Sequence, residues 1–285
     1  MTQTDNRVAG TVVLYNPPHS TYECISSYFD QVEKIYVVDN SVIPNEQLID
    51  KLVQHDKIVY INNHGNLGIA TALNIGARNA IINGFQFLLT MDQDTSLEST
   101  YVAKLMQSMM EAGPASVGIM SPRYTVDSEL KKPLLEEVLV TMTSGNILNL
   151  TAFQHVGPFL EELFIDHVDH EYCLRLWSNG YKVIQANDIQ IIHRPGNIVK
   201  LNAFGKEIIF SSHSPLRQYY FWRNGLYVAR LYKKQYPAFN KMVRSLLMKE
   251  FLKVPFEDLK RLRIKMMMQG LLDYRRNKFG PLREN

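Results

Sequence analysis

The chain has 285 residues, 46% hydrophobic and 21% charged, with 15 Gly and 12 Pro. That length buries a sizeable core as one large domain or two modest ones, and the composition excludes global disorder. No apolar run approaches the roughly 18 residues that a spanning helix needs. Two cysteines, Cys24 and Cys173, are too few for a disulfide framework and point to a reducing compartment. Residues 1–9 are polar with no apolar stretch, so a secretory leader is not expected. The net charge of +3 hides a split: residues 241–285 hold 12 Lys and Arg against 5 Asp and Glu, net +7, which leaves −4 for residues 1–240. A mildly acidic body with a basic tail suits an anionic partner, either nucleic acid or a membrane face.

The first part alternates apolar runs with helical patterns. Strands are expected at Gly10–Tyr15, Lys34–Val38, Lys57–Ile61, Phe85–Met91 and Ser116–Met120. Helices are expected between them, at Thr21–Phe29, Asn45–His55, Leu67–Ile82 and Ser99–Met110. Such alternation with wholly apolar strands implies a parallel sheet covered on both faces. Ligands bind such sheets beyond the carboxyl ends of the strands. Polar clusters stand at those ends: Tyr15-Asn16, Asp39-Asn40-Ser41, Asn63–Gly68 and Asp92-Gln93-Asp94. Beyond residue 123 the pattern loosens. Residues 125–137 read as a mobile charged loop, Val138–Met142 as a strand and Leu150–His155 as a short helix. Val168–Asn179 reads as a helix, and Tyr181–Gln185 and Ile189–His193 as short strands. From Pro215 the chain reads as helical, with breaks near Pro237 and Pro255.

Each cluster supports two readings. Asp92 and Asp94 alternate at a strand end, so both carboxylates can address one site, and hard oxygens suit Mg²⁺ or Mn²⁺ bridging a diphosphate. The same residues also make a polar helix entrance. Asp39 would accept a hydrogen bond from a pyrimidine ring or a ribose hydroxyl, or simply form an Asx turn. The Asn63–Ala70 loop offers glycines and a helix N-terminus to a phosphate, or simply a capped loop with tight helix–sheet packing. It lacks the dinucleotide and P-loop patterns, which disfavours a dehydrogenase or a Walker-type ATPase. Asp166–Glu171 holds five ionisable side chains in six positions. It fits a metal site with His167 or His170, a general base, or an acidic helix start with a Glu171–Arg175 pair. His193 ends an apolar strand, where it is a structural residue or a ligand. Tyr220, Arg223 and Asn224 share a helix face, and a buried Arg there calls for an anionic partner.

Taken in order, these segments resemble the inverting glycosyltransferases of family 2, which have the GT-A fold. The matching features are Val13–Pro17, Val37–Ser41, Asn66-Leu67-Gly68, Asp92-Gln93-Asp94 and Phe164–Arg175. The last is similar to the family's catalytic-base helix. Its Phe-Ile-Asp-x-Val-Asp-x-Glu form, with Tyr219-Tyr220-x-x-Arg223-Asn224, most resembles the rhamnosyltransferase branch. The resemblance spans residues 8–230. It implies a Rossmann-like, mostly parallel central sheet flanked by helices, with a C-terminal helical extension. The domains would be 1–230, with nucleotide-sugar binding over 8–122 and the acceptor and catalytic part over 123–230, and an extension at 231–285.

The resemblance also implies roles. Thr11 and Tyr15 would line the nucleotide pocket, with Asn66 and Gly68 beside the donor. Asp39 would contact the base and Asp92 the ribose or sugar. Asp94 would hold Mg²⁺ or Mn²⁺, with His193 on the metal or diphosphate. Ser144, Gly145 and Asn146 would lie under the donor sugar and acceptor, with Glu171 and Arg223 also at the acceptor or sugar. Many family members carry Glu-Asp where this chain has Val168-Asp169. Aligning back from Cys173 places Asp169 on the base, with Asp166 and Glu171 as alternatives.

The implied activity moves L-rhamnose from dTDP-rhamnose to a saccharide hydroxyl in cell-surface polysaccharide synthesis. A family-2 transferase using a UDP-hexose is the alternative. The implied acceptor is polyprenyl-diphosphate-linked, on the cytoplasmic face of the membrane. A sugar-nucleotide pyrophosphorylase is disfavoured because Tyr15-Asn16-Pro17 replaces its Gly-rich Arg-Lys signature. No nucleic-acid motif accompanies the basic tail, which argues against a nucleic-acid partner. In the tail, Leu246, Phe251, Phe256, Leu262 and Met266 interleave with Lys249, Lys253, Arg261 and Lys265. That pattern fits a peripheral anionic-membrane surface, a helix packed on the body, or a homodimer contact.

Overall fold

The computed structural model describes residues 6–124, 133–191, 197–203 and 206–282. The chain forms two compact units: Met1–Glu161 with Tyr172–His193, and Glu162–Glu171 with Arg194–Asn285.

The first unit runs β1 (Val8–Leu14), α1 (Thr21–Ser26), β2 (Lys34–Asp39), α2 (Glu46–Val53), β3 (Ile58–Asn62), α3 (Ile69–Ile82) and β4 (Phe87–Asp92). It continues with α4 (Tyr101–Ala112), β5 (Val117–Tyr124), β6 (Leu135–Glu137), β7 (Asn146–Asn149) and α5 (Leu150–Val156). Helix α6 (Val168–Ser178) crosses the division between the units, and β8 (Lys182–Ile191) closes the first. The strands form one sheet in the order β3-β2-β1-β4-β7-β5-β8-β6. Its β3-β2-β1-β4 half is parallel, as is β5 with β8, whereas β7 runs antiparallel to β4 and β5, and β6 antiparallel to β8.

The burial pattern explains the strand sequences. β1, β2 and β4 are covered on both faces and read as continuous apolar runs. β3 lies at the sheet edge and is only half-buried throughout. The core beneath them gathers Val12, Leu14, Ile25, Val37, Leu52, Leu89 and Leu105. Helix α3 turns a face of small residues to the sheet: Ala70, Ala72, Ala77 and Ala80 are fully buried. Gly76 lets that helix approach β1, because a Cβ there would stand 2.1 Å from Thr11 Oγ1.

Two local expectations fail. Residues 138–142 are not a strand; the strands lie on either side, as β6 and β7. The Val138 N–H still donates to the Val183 carbonyl, but beyond it carbonyls are taken by side chains and not by a continuing ladder. Trp177 Nε1 donates to the Val138 carbonyl at 3.1 Å, the Asn146 amide and Tyr124 hydroxyl donate to Met142, and Thr90 donates to Thr143 at 2.6 Å. The two short strands expected at 181–193 are one strand, β8, as far as Ile191. Its register slips opposite Pro122 and Arg123 to absorb the polar Asn187-Asp188 step. In the segment expected to be a charged loop, residues 125–132 lie outside the described residues.

The second unit holds a hairpin of β9 (Asn197–Ala203) and β10 (Lys206–Ser212), then α7 (Pro215–Leu231), α8 (Pro237–Lys253) and α9 (Lys260–Arg275). Ser214 caps α7 by accepting from the Arg217 amide, with Pro215 in the first turn. Pro237 opens α8, and Pro255 sits in the 3₁₀ turn that ends it, as the sequence breaks indicate. Helices α7 and α9 touch at the backbone: a Cβ on Gly270 would lie 2.5 Å from the Tyr219 carbonyl oxygen. Arg263, only 3% exposed, knits the unit by pairing with Glu257 at 3.5 Å and Asp258 at 2.6 Å and donating to the His213 carbonyl.

Gly76→Ala is expected to destabilise the chain by about 1–3 kcal/mol, the usual magnitude of overpacking. Urea denaturation checks it, and an unchanged midpoint would contradict the close approach of α3 to β1.

Candidate active site

The site in the first unit is built by register. Leu14 pairs with Asp39, Val13 with Asp92, and Asp39 with Asn62. Four parallel strands therefore end level, and their polar clusters meet. Side chains then tie the emerging loops together. The Gln93 amide brackets Tyr15, with its Oε1 accepting from the Tyr15 N–H at 2.8 Å and its Nε2 donating to the Tyr15 carbonyl at 3.2 Å. The Asn16 N–H donates to Ser41 Oγ at 2.8 Å. Asn40 donates to the Gly68 carbonyl at 3.1 Å and accepts from Asn63 at 2.8 Å. Asn66 Oδ1 accepts from the Gly68 N–H, which sets the entry to α3.

The expected donor residues separate by exposure. Tyr15 is 49% exposed, Asn66 and Asp94 are exposed, and Asp92 is half-buried. Thr11 is fully buried under Gly76 and bonds the Tyr36 carbonyl, so none of its atoms reaches the surface. Asp39 is also fully buried. Its Oδ1 accepts from the Ser41 N–H at 2.8 Å, an Asx turn, and its Oδ2 from the Tyr60 hydroxyl at 2.9 Å. Burial, followed by that bond to Asp39, pushes the Tyr60 hydroxyl well above its ordinary pKa. Asp39 thus holds the end of β2.

Ser144, Gly145 and Asn146 form the buried backing of the Asp92 strand end. Ser144 Oγ accepts from the Asp92 N–H at 3.1 Å, the Gly145 N–H donates to the Thr90 carbonyl at 2.7 Å, and Tyr124 donates toward Ser144 and Asn146.

Asp94 fits one place in a divalent-cation shell. Its carboxylate is exposed at the strand end, and its hydrogen-bonding neighbour is Thr95 Oγ1 at 3.5 Å. No cluster of three His, Cys, Asp or Glu exists among the described residues. A single exposed carboxylate suits Mg²⁺ or Mn²⁺, which commonly take one or two carboxylates and complete the shell with phosphate oxygens and water. His193 lies outside the described residues.

In the second unit, Phe164, Asp166 and His167 all have positive φ, at 65°, 62° and 61°. Three left-handed residues in four positions make a tight, strained entry to α6. This turn sorts the acids. Asp166 pairs with Arg217 at 2.5 Å. Glu171 is 1% exposed and accepts from the Tyr232 hydroxyl at 2.9 Å. Asp169, in the first turn of α6, is half-buried, and one of its oxygens accepts from the His170 N–H at 2.8 Å. Among the described residues no ion pair engages Asp169.

The two histidines face each other, with Nδ1 atoms 3.0 Å apart. His167 is buried, and its Nε2 has no partner among the described residues.

Arg223 needs no carboxylate. Its guanidinium donates to the carbonyls of Gly280, Glu162 and Leu163 at 2.7–3.3 Å and lies over the rings of Tyr219, Tyr220 and Phe279. At 1% exposure it is a structural clamp and not a sugar contact. Several carbonyl dipoles and π faces do the work expected of one anion.

The family described as glycosyl transferase family 2 matches residues 11–165. The chain belongs to glycosyltransferase family 2. A relative, the dTDP-rhamnosyl transferase RfbF of Shigella flexneri, is 31% identical over 245 residues, covering 79% of this chain and 81% of that one. Among solved structures, S. aureus TarS 1–349 in complex with UDP-GlcNAc has a TM-score of 0.61 at 13% identity, covering 95% of this chain and 81% of that one. GalNAc-T7 with UDP, GalNAc and Mn²⁺ also has a TM-score of 0.61, at 14% identity, covering 96% of this chain and 57% of that one. These likenesses establish the GT-A fold. The chain is a glycosyltransferase.

Gln93 and Asn40, named in the sequence only as members of the strand-end clusters, prove to be the amides that brace the loops. Each is an amide at the end of a strand flanked by neighbouring strands, and that position is the available signal.

Burial, then the neighbouring His170, hold the His167 pKa well below its usual 6.5. The unfolded chain therefore takes up this proton first, and stability should fall as pH drops below about 6.5. Denaturant titrations from pH 7.5 to 5 should show a shallower loss for His167→Phe than for wild type. Residual slope is expected from His213, also lowered by burial. Parallel curves would contradict a buried neutral His167.

Proposed function

We propose that the chain transfers L-rhamnose from dTDP-rhamnose to a hydroxyl of a saccharide acceptor in cell-surface polysaccharide synthesis, inverting the anomeric centre. The dTDP-rhamnosyl transferase relative, aligned over most of both chains, supports the donor class. The observation that carries the chemistry is the sorting of the acids at 166–171. Asp166 is tied to Arg217 and Glu171 to Tyr232, which leaves Asp169 for the base.

In this reading Tyr15, Asn66, Gly68 and Asp92 hold the nucleotide sugar, and Asp39 keeps the end of β2 in place for it. Asp94 holds a divalent cation, Mg²⁺ or Mn²⁺. When bound, that ion neutralises charge on the leaving diphosphate. Asp169 takes the proton of the acceptor hydroxyl as its oxygen bonds to the anomeric carbon. The bond from that carbon to the diphosphate breaks on the opposite side, and dTDP departs with the electron pair. Buried Ser144, Gly145 and Asn146 keep the Asp92 strand end rigid.

The tail supplies the place of action. On α9, Ile264, Met268 and Leu272 recur every four residues and are 41%, 59% and 39% exposed, beside exposed Arg261, Lys265 and Arg275. The acids described in that region are occupied: Glu250 by Lys253, Glu257 and Asp258 by Arg263, and Asp273 by Tyr219 and Gln269. An apolar stripe among cations, with the nearby acids engaged in ion pairs or hydrogen bonds, fits the anionic face of a membrane, where a lipid-linked acceptor would be presented. No helix among the described residues is long and apolar enough to cross one.

Asp169→Asn should bind dTDP-rhamnose as wild type does and transfer sugar about 10²–10⁴-fold more slowly. Transfer at the wild-type rate would overturn the base assignment, and preference for UDP-sugars in a donor panel would overturn the donor. The intact chain should co-sediment with phosphatidylglycerol vesicles, less so at high salt or as Met268→Glu, and not with neutral vesicles. Failure to bind the anionic vesicles would remove the membrane reading.

A further inference from the structure

We propose that Arg223 and Asn224 are positioning residues that hold the first turn of α6, and with it Asp169, in working orientation. The inference rests on the reading of Asp169 as the base. Consecutive residues of α7 meet consecutive parts of the strained turn. Arg223 collects the carbonyls of Glu162 and Leu163. Asn224 Nδ2 donates to Leu163 and Ile165 at 2.7 Å and to Asp166 at 3.0 Å. Gly225 leaves room for His167, whose Nε2 would lie 2.9 Å from a Cβ at that position. About two turns earlier on α7, Arg217 holds the Asp166 carboxylate.

A non-glycine residue with positive φ is unfavourable and persists only where its surroundings impose it. Here the imposing groups are visible. The Asn224 side chain is itself oriented, because its Oδ1 accepts from Arg223 Nε at 2.9 Å, so both amide hydrogens face the turn. Asn224 is fully buried and Arg223 nearly so. Helix α6 begins at Val168, directly after the last left-handed residue. The direction in which its first turn leaves, and where Asp169 points, follows from a turn that this pair holds. A buried Arg–Asn pair is a poor source of stability compared with apolar packing, but N–H groups donating to carbonyls fix one backbone conformation among many.

The test is a double-mutant cycle on the full chain with dTDP-rhamnose as donor, with donor binding by calorimetry and melting temperature as controls. Asn224→Ala should bind donor normally and lose roughly 10–100-fold in kcat, the scale of a displacement of about 1 Å at a reacting group. In the Asp169→Asn background the same substitution should cost nothing further, because the group it positions is gone. An equal fold-loss in both backgrounds would make Asn224 structural and overturn the proposal. A wild-type rate for Asp169→Asn alone would instead sink the base reading, so the two failures are distinguishable. Should Asn224→Ala not fold, Asn224→Ser, which keeps one donor, is read in the same cycle: a loss that vanishes in the Asp169→Asn background supports the proposal, and one that persists overturns it.

Discussion

The parallel register of β3, β2, β1 and β4 is the constraint on which the first unit depends. Parallel strands send every connection across a face of the sheet, so four chain reversals open at the same end. Leu14, Asp39, Asn62 and Asp92 finish level because the hydrogen-bond ladder leaves no freedom to slip. A slip of one residue would turn each strand's buried set to the opposite face. The strand-end amides then work at short range. Gln93 joins β4 to β1, Ser41 joins the loop after β2 to Asn16, and Asn40 joins β2 to the entry of α3. Tyr15, Asn66 and Asp94 are among the side chains that stay accessible in this cross-braced rim. A glycosyltransferase needs such a rim, because a nucleotide sugar must be held at several points while one bond is exchanged.

The second unit solves a different problem with the same economy of polar groups. Its turn before α6 is unfavourable residue by residue and is held by donors on α7. Those donors are buried charges and amides, costly unless saturated, and Arg223 and Asn224 are saturated by carbonyls. Helix α9 backs α7 closely, through Gly270 against Tyr219. The apolar cluster of Phe164, Tyr219 and Tyr220 seals the pair from water. The charge left over is positive and lies at exposed positions of both α8 and α9, among them Lys241, Arg244, Lys249, Arg261 and Lys265.

Much of the first unit was legible because strand burial on both faces writes itself as unbroken apolar runs, as in β1, β2 and β4. The polar clusters at their ends were legible for the same reason. Local pattern failed where side chains stand in for the backbone ladder, as at residues 138–143, where the carbonyls of Val138, Met142 and Thr143 are taken by Trp177, by Tyr124 and Asn146, and by Thr90. It also missed the β9–β10 hairpin, although Asn197–Ala203 and Lys206–Ser212 flank a Phe204-Gly205 turn signal with β-branched residues on both sides. The candidate site was legible as residue types but not as roles. No sequence pattern reveals that Thr11 is sealed by Gly76, that Asp39 is already satisfied by Ser41 and Tyr60, or that Arg223 finds carbonyls where an anionic partner was expected. Those facts depend on partners distant in sequence.

The central claim is that the nucleotide sugar occupies the rim of parallel strand ends. Hydrogen exchange of the full chain, with and without dTDP-rhamnose and Mn²⁺, tests it most directly. The expected result is added protection in peptides covering residues 15–16, 39–41, 63–68 and 92–94. Unchanged exchange in all four segments at saturating donor would contradict the account.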